Sequence, residues 1–287
     1  MKMIKPVVNI SRIADSFDVV LCGLNGVLYD GNSFKTEAVN ALLRLKKNGK
    51  KIVLLSNTAM RLERLINLMY ENNISPLLFD NIVTMGEVLH YKLQSTDPKY
   101  KLLGKVYYNL SGDESAEAFS DLDFTSTENY SQADFLYVAH SSQLSEISSY
   151  TDILSHCASL DIPLLCVGAE NSIFINGEIC PSAGMIAEQY AILGGKITIL
   201  GKPDKNVAQY TLEDISFEDP NRVLMIGDSV PVDIKVASSC GFSSLLISKG
   251  IHKNSLGEGY IPDISKAREL STNFEVFPDY VMSSLRW

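Results

Sequence analysis

Four short apolar runs in this chain each break off into small, polar or turn-forming residues, and that repeated break most limits its fold. Residues 19–21 lead into Gly23-Leu24-Asn25-Gly26, and the run 51–57 ends in Ser56-Asn57-Thr58. Residues 196–203 end in Gly201-Lys202-Pro203, and 222–229 end in Gly227-Asp228-Ser229. Two further runs, 81–85 and 242–248, also read as strands. Apolarity that is continuous rather than alternating suits a strand covered on both faces, as in a parallel sheet. Between the first runs the period changes. Thr36 is placed to cap a helix carrying Val39, Leu42 and Leu45, with Gly49 to end it. Leu62, Leu65, Ile66 and Met69 line one face of a second helix. Strand, helix, strand, helix, strand predicts a parallel α/β sheet with right-handed crossovers.

From about residue 86 the rhythm changes. Residues 111–132 are polar and acidic and read as surface helix and loop. Strands at 133–140 and 162–168, with a helix over 142–160, form a second small α/β unit. The runs at 196–203, 222–229 and 242–248 then restore the first pattern. The layout expected is a discontinuous core, 1–85 and 185–287, interrupted by an inserted unit over 86–184. A length of 287 residues agrees with about two domains at ~150 residues each.

Composition excludes several classes. With 46% hydrophobic and 21% charged residues the chain is an ordinary globular one. It lacks the ~18 consecutive apolar residues of a spanning helix, and its first residues lack the unbroken apolar stretch of a signal peptide. No membrane association is expected. A net charge of −9 argues against a nucleic-acid partner. Cys22, Cys157, Cys166, Cys180 and Cys240 are widely spaced, without a CxxC pair, and read as free, mostly buried thiols of a cytoplasmic protein.

In an open parallel sheet, ligands bind beyond the carboxyl ends of the strands. The breaks would bring together a hydroxyl at Ser56, the Lys202 ammonium and carboxylates at Asp228 and Asp233. Donors and a cation suit a phosphate; paired carboxylates suit Mg²⁺. Taken singly, each piece has a plainer use. Ser-Asn-Thr after a strand caps helices, and Gly-Lys-Pro makes surface turns. Four pieces in this order, each at a strand end, point to a phosphate and metal site. Gly23 and Gly26 fit neither a Walker A loop nor a GxGxxG fingerprint.

DVVLCGLNGVLYDG, LLSNTAMRLERL, GKPDKNVAQ and VLMIGDSVPVDIKVASSCGF resemble, in order, the four motifs of the haloacid dehalogenase-like (HAD) superfamily. The stretch between the second and third is similar to the inserted α/β cap, of the C2 type, in the class IIA group. That group includes sugar-phosphate and p-nitrophenyl phosphate phosphatases. The resemblance covers nearly the whole chain and implies a Rossmann-like parallel core. It implies phosphate contacts from Ser56, Asn57 and Lys202. It also implies Mg²⁺ contacts from Asp228, Asp233 and the backbone carbonyl of Asn25, with a small phosphorylated metabolite as ligand. Substrate choice in the group comes largely from the cap, where Glu170 and Asn171 are candidates by position.

The first motif departs from the family pattern Asp-x-Asp-Gly. Gly23 stands at the nucleophile position and Asn25 at the acid/base position. Glycine cannot form an aspartyl-phosphate and supplies no carboxylate to a metal, so Mg²⁺ is expected to bind more weakly. An amide cannot exchange a proton usefully near neutral pH, which forgoes a typical ~10²- to 10⁴-fold of rate. Asp18, five residues before Gly23, should lie ~16 Å away at 3.3 Å per residue. Asp30, beyond the loop, is the other acid near the motif. The expectation is a phosphatase-fold protein impaired in ordinary phosphatase chemistry that binds a phosphorylated ligand. Hydrolysis through a metal-activated water, and a scaffold or regulatory role with an empty cleft, remain the alternatives.

Overall fold

The computed structural model of the chain describes residues 3–112, 115–140, 144, 146–257 and 259–287. Its strands, in chain order, are β1 (Lys5–Pro6), β2 (Val19–Cys22), β3 (Lys51–Ser56), β4 (Asn81–Thr84), β5 (Val106–Asn109), β6 (Thr125–Ser126) and β7 (Phe135–Ala139). There follow β8 (Leu164–Val167), β9 (Ser172–Ile175), β10 (Glu178–Pro181), β11 (Ile197–Leu200), β12 (Val223–Gly227), β13 (Ser243–Ile247) and β14 (Tyr280–Met282).

Seven of them form one sheet in the order β1-β14-β13-β12-β2-β3-β4, parallel throughout. From β2 the chain steps outward through β3 and β4. It returns at β12 on the other side of β2 and steps outward through β13 and β14. The adjacent strands β2 and β12 therefore send their connections in opposite directions. Such a switch point opens a crevice at the carboxyl ends of the two strands.

The continuous apolarity of these strands serves two faces. Val20, Cys22, Ile52, Leu54, Leu224 and Ile226 pack in one cluster with the helices Thr36–Lys47 and Leu62–Glu71. Their neighbours Val19, Leu21, Val53, Leu55, Val223 and Met225 face a second cluster on the opposite side.

A second sheet, also parallel, has the order β11-β8-β7-β5-β6. Leu136, Val138, Leu164 and Cys166 on one of its faces pack with residues of the helices Thr151–Ser159 and Ala183–Ile192. Its other face presents Tyr107, Phe135, Tyr137, Leu165 and Val167 to the very cluster that covers the seven-stranded sheet. The two sheets thus share a core. Between β9 and β10 a hairpin turns on Asn176-Gly177, both at positive φ as a two-residue turn requires.

Several expectations need correction. The run 196–203 does not rejoin the seven-stranded sheet, because β11 pairs with the free edge of β8. Its burial alternates, with Ile197 and Ile199 each more than a third exposed, as befits an edge strand and not a doubly covered one. On that pairing, residues 185–200 go with the inserted unit, not with the core. Thr36 is the first helical residue and not the cap; Lys35 stands at the N-cap, and its side chain does not cap the helix but donates to Gly26 O. Of the helix expected over 142–160, residues 142, 143 and 145 lie outside the described ones; the observed helix is Thr151–Ser159. The polar tract 111–132 contributes β6 and buries Ala118 and Phe119. No helix among the described residues is long and apolar enough to cross a membrane.

Candidate functional site

At the switch point lies a cavity of about 30 Å³ lined by residues from both sheets. From the seven-stranded sheet come Asn25 after β2, Ser56 and Asn57 at the end of β3, and Asp228 and Asp233 after β12. From the five-stranded sheet come His140 after β7, Glu170 after β8 and Lys202 after β11. The sequence-predicted residues Asn25, Ser56, Asn57, Lys202, Asp228 and Asp233 therefore meet at one place. Gly23 sits just behind the lining, donating its N–H to Ile226 O at 2.8 Å.

Lys202 and Asp233 form the charged centre. Nζ donates to Oδ1 at 2.6 Å, with both side chains almost wholly buried. Oδ2 of Asp233 accepts the N–H groups of Asp228 and Ser229, each at 3.1 Å. Burial alone would lower the Lys202 pKa, but Asp233, Glu170 and Asp228 together hold it above the ordinary value. Asp228 is the opposite case. Burial and the neighbouring Asp233 push its carboxyl up to about 7, although Oδ2 accepts the Ile251 N–H at 3.0 Å. Close approach of the backbone holds these acids in place. A Cβ on Gly26, at φ +72°, would lie 1.8 Å from Asp228 Oδ2, and one on Gly227 would lie 2.2 Å from Asp233 Cβ.

Asn57 joins the sheets. Its Oδ1 accepts the Lys202 N–H at 2.8 Å and its Nδ2 donates to Lys202 O at 3.0 Å. The same Nδ2 donates to both carboxylate oxygens of Glu170, each at 2.9 Å. Burial raises the Glu170 pKa, and the nearby Asp233 adds to the rise against Lys202 and the Asn57 amide. Burial pulls the His140 pKa down to about 4, and its solvent-shielded Nδ1 has no hydrogen-bond partner among the described residues.

Mg²⁺ has few donors here. Asp233 is held at both oxygens by Lys202 and two backbone N–H groups and Gly23 offers no carboxylate, so the Asp228 carboxylate and the Asn25 carbonyl are the less engaged donors. Among the described residues no three His, Cys, Asp or Glu side chains converge to hold a metal by themselves. The set fits a Mg²⁺ ion only where waters and a ligand's own phosphate complete the shell, a mode that ion often adopts.

The other acids lie elsewhere. Asp18 is exposed and paired with the Arg222 guanidinium. Asp30 caps its own turn, accepting the N–H groups of Asn32 and Ser33 at 3.0 and 2.8 Å. Asn171 is turned away from the cavity, donating to Glu188 at 2.7 Å. Cys22, Cys157 and Cys166 are buried, and no cysteine lines the cavity. Sequence reasoning missed His140, Ser172 and Ser182, all from the inserted unit. For His140 a signal existed, as a polar residue closing the apolar run that became β7.

Comparison with known proteins adds a lineage to this geometry. The family model described as haloacid dehalogenase-like hydrolase matches residues 17–241, and a second, HAD-hydrolase-like, matches 199–286. Chronophin of Mus musculus is 26% identical over 261 residues, covering 84% of each chain. Sugar-phosphatase AraL of Bacillus subtilis is 25% identical over 258 residues, covering 85% of this chain and 88% of that one. A haloacid dehalogenase-like family hydrolase from Brucella suis 1330 superposes with a TM-score of 0.78 at 22% identity, over 96% of this chain and 98% of that one.

Proposed function

This chain belongs to the haloacid dehalogenase-like hydrolase family, and from that premise we propose that it binds a small phosphorylated metabolite at the switch-point cavity without hydrolysing it by the aspartyl route. The observation that carries the reading is the contrast around Gly23. Ser56, Asn57, Lys202, Asp228 and Asp233 converge there, while the residue from which a nucleophile would reach them has no side chain. The similarity to chronophin and to a sugar-phosphatase supports a phosphate ester as the ligand class. Ser56, Asn57 and the buried Lys202 ammonium supply the donors. The Asp228 carboxylate and the Asn25 carbonyl are the residues that would hold Mg²⁺, whose charge would offset that of the phosphate. The inserted unit acts as the cap that closes over the ligand.

The backbone would still accept the missing group. Gly23 lies outside the left-handed region, and a Cβ there would find its nearest neighbour, Ile226 O, at 3.4 Å. The test is a phosphatase assay with p-nitrophenyl phosphate and Mg²⁺. Wild type is expected at background, and the double variant Gly23→Asp with Asn25→Asp is expected to turn over. Robust wild-type turnover that Asp228→Asn abolishes would sink the reading and favour a metal-activated water.

A further inference from the structure

Asn57 is expected to hand a hydrogen bond to a ligand's phosphate, yet in this structure that donor is taken. One hydrogen of Nδ2 goes to Lys202 O, and the other is shared between the two oxygens of Glu170. A carboxylate and a phosphoryl group both offer anionic oxygens that such a donor can serve.

The backbone aims Glu170 there. Gly168, at φ +87°, turns the chain after β8 so tightly that a Cβ on it would lie 2.9 Å from Glu170 Oε2. Gly184 then lets the start of the helix Ala183–Ile192 approach closely, and its N–H donates to Glu170 O at 2.9 Å. The cavity left beside the carboxylate, about 30 Å³, has room for a water or two.

We propose that Glu170 is a built-in competitor for the anion site, holding the Asn57 donor so that a phosphorylated ligand enters only by displacing it. This rests on the phosphate-site reading above. A purely structural tie between the sheets is the plainer role, but the contact is poorly made for one. Among the described residues no cation lies within ion-pair distance of Glu170, and a single neutral amide is its side-chain partner. Burial raises its pKa, a rise that the Lys202 charge and the Asn57 amide only partly oppose, so burying the carboxylate there carries a desolvation cost. An incoming phosphate would meet Asn57 and the Lys202 ammonium in its place.

Titration calorimetry with inorganic phosphate against full-length wild type, Glu170→Gln and Glu170→Ala tests the idea. Both variants are expected to bind roughly ten-fold tighter, about 1.4 kcal/mol at 25 °C, with melting temperatures close to wild type. A structural tie predicts lowered melting temperatures and no gain in affinity. If wild type binds phosphate and the variants bind it equally or more weakly, the competitor is overturned while the phosphate site stands. If none of the three binds, the phosphate site falls and the competitor with it. A crystal of wild type soaked in phosphate decides the matter even if a variant misfolds. The expected result is Glu170 turned away from Asn57 with phosphate in its place; phosphate on Asn57 with Glu170 still bonded overturns the proposal.

Discussion

Two glycines in the loop after β2 are used for opposite reasons. At Gly26 the side chain is excluded, because φ is +72° and a Cβ would run into the Asp228 carboxylate. At Gly23 the side chain is merely absent; the space and the backbone angle would take one. Both were visible in the sequence, but their difference depends on what lies across the cavity. Urea unfolding of the two alanine variants separates them. Gly26→Ala should lose about 1–3 kcal/mol from the left-handed backbone alone, and more from displacing Asp228, whereas Gly23→Ala should stay near wild type. Equal losses would mean that the space at Gly23 is not real.

At the scale of elements, the site is made by strand ends, and the decisive one belongs to the second sheet. Lys202 follows β11, which pairs with β8, while its partner Asp233 follows β12 of the seven-stranded sheet. The ion pair and the Asn57 hydrogen bonds therefore bind the ends of one sheet to the ends of the other. Lys202→Met would leave Asp233 buried without its counter-charge, and such losses run to about 3–5 kcal/mol. Adding Asp233→Asn should recover part of that stability, since the amide can still accept the Asp228 and Ser229 N–H groups. A double variant no more stable than Lys202→Met in urea would show that the pair does not act as a unit. The sequence marked Lys202 and Asp233 as separate strand-end residues. Nothing in either stretch announced their pairing, which depends on the sheet that β11 joins. A four-residue apolar run reads alike in a covered strand and at an edge until its neighbours are known.

At the scale of the molecule, one apolar cluster runs from the face of the seven-stranded sheet to the face of the five-stranded one. Val19, Leu21, Val53 and Met225 belong to it together with Phe135, Tyr137 and Val167. Tyr137 is wholly buried there, its hydroxyl donating to Ser115 O at 2.8 Å. An inserted unit that shares its core with its host should not unfold alone. Calorimetry is expected to show a single transition whose van't Hoff and calorimetric enthalpies agree. Two resolved transitions would mean that the shared cluster is too weak to couple the sheets. The chain's net charge of −9 is of little consequence in the cavity, where nearby charges such as Lys202, Lys35, Asp228, Asp233 and Glu170 act on one another.

Read alone, the sequence determined local things: that eight apolar runs are strands, where each breaks, and that the break after β2 carries Gly23 and Asn25. These follow from side-chain chemistry and short-range periodicity, which a linear chain displays in full. Tertiary structure alone decided that β11 lies in the second sheet, that Asp233 is engaged by Lys202, and that Glu170 reaches Asn57 across 113 residues of chain. Such contacts are set by which edge a strand finds free and by how closely a glycine lets two segments approach, and neither is written in the order of residues nearby.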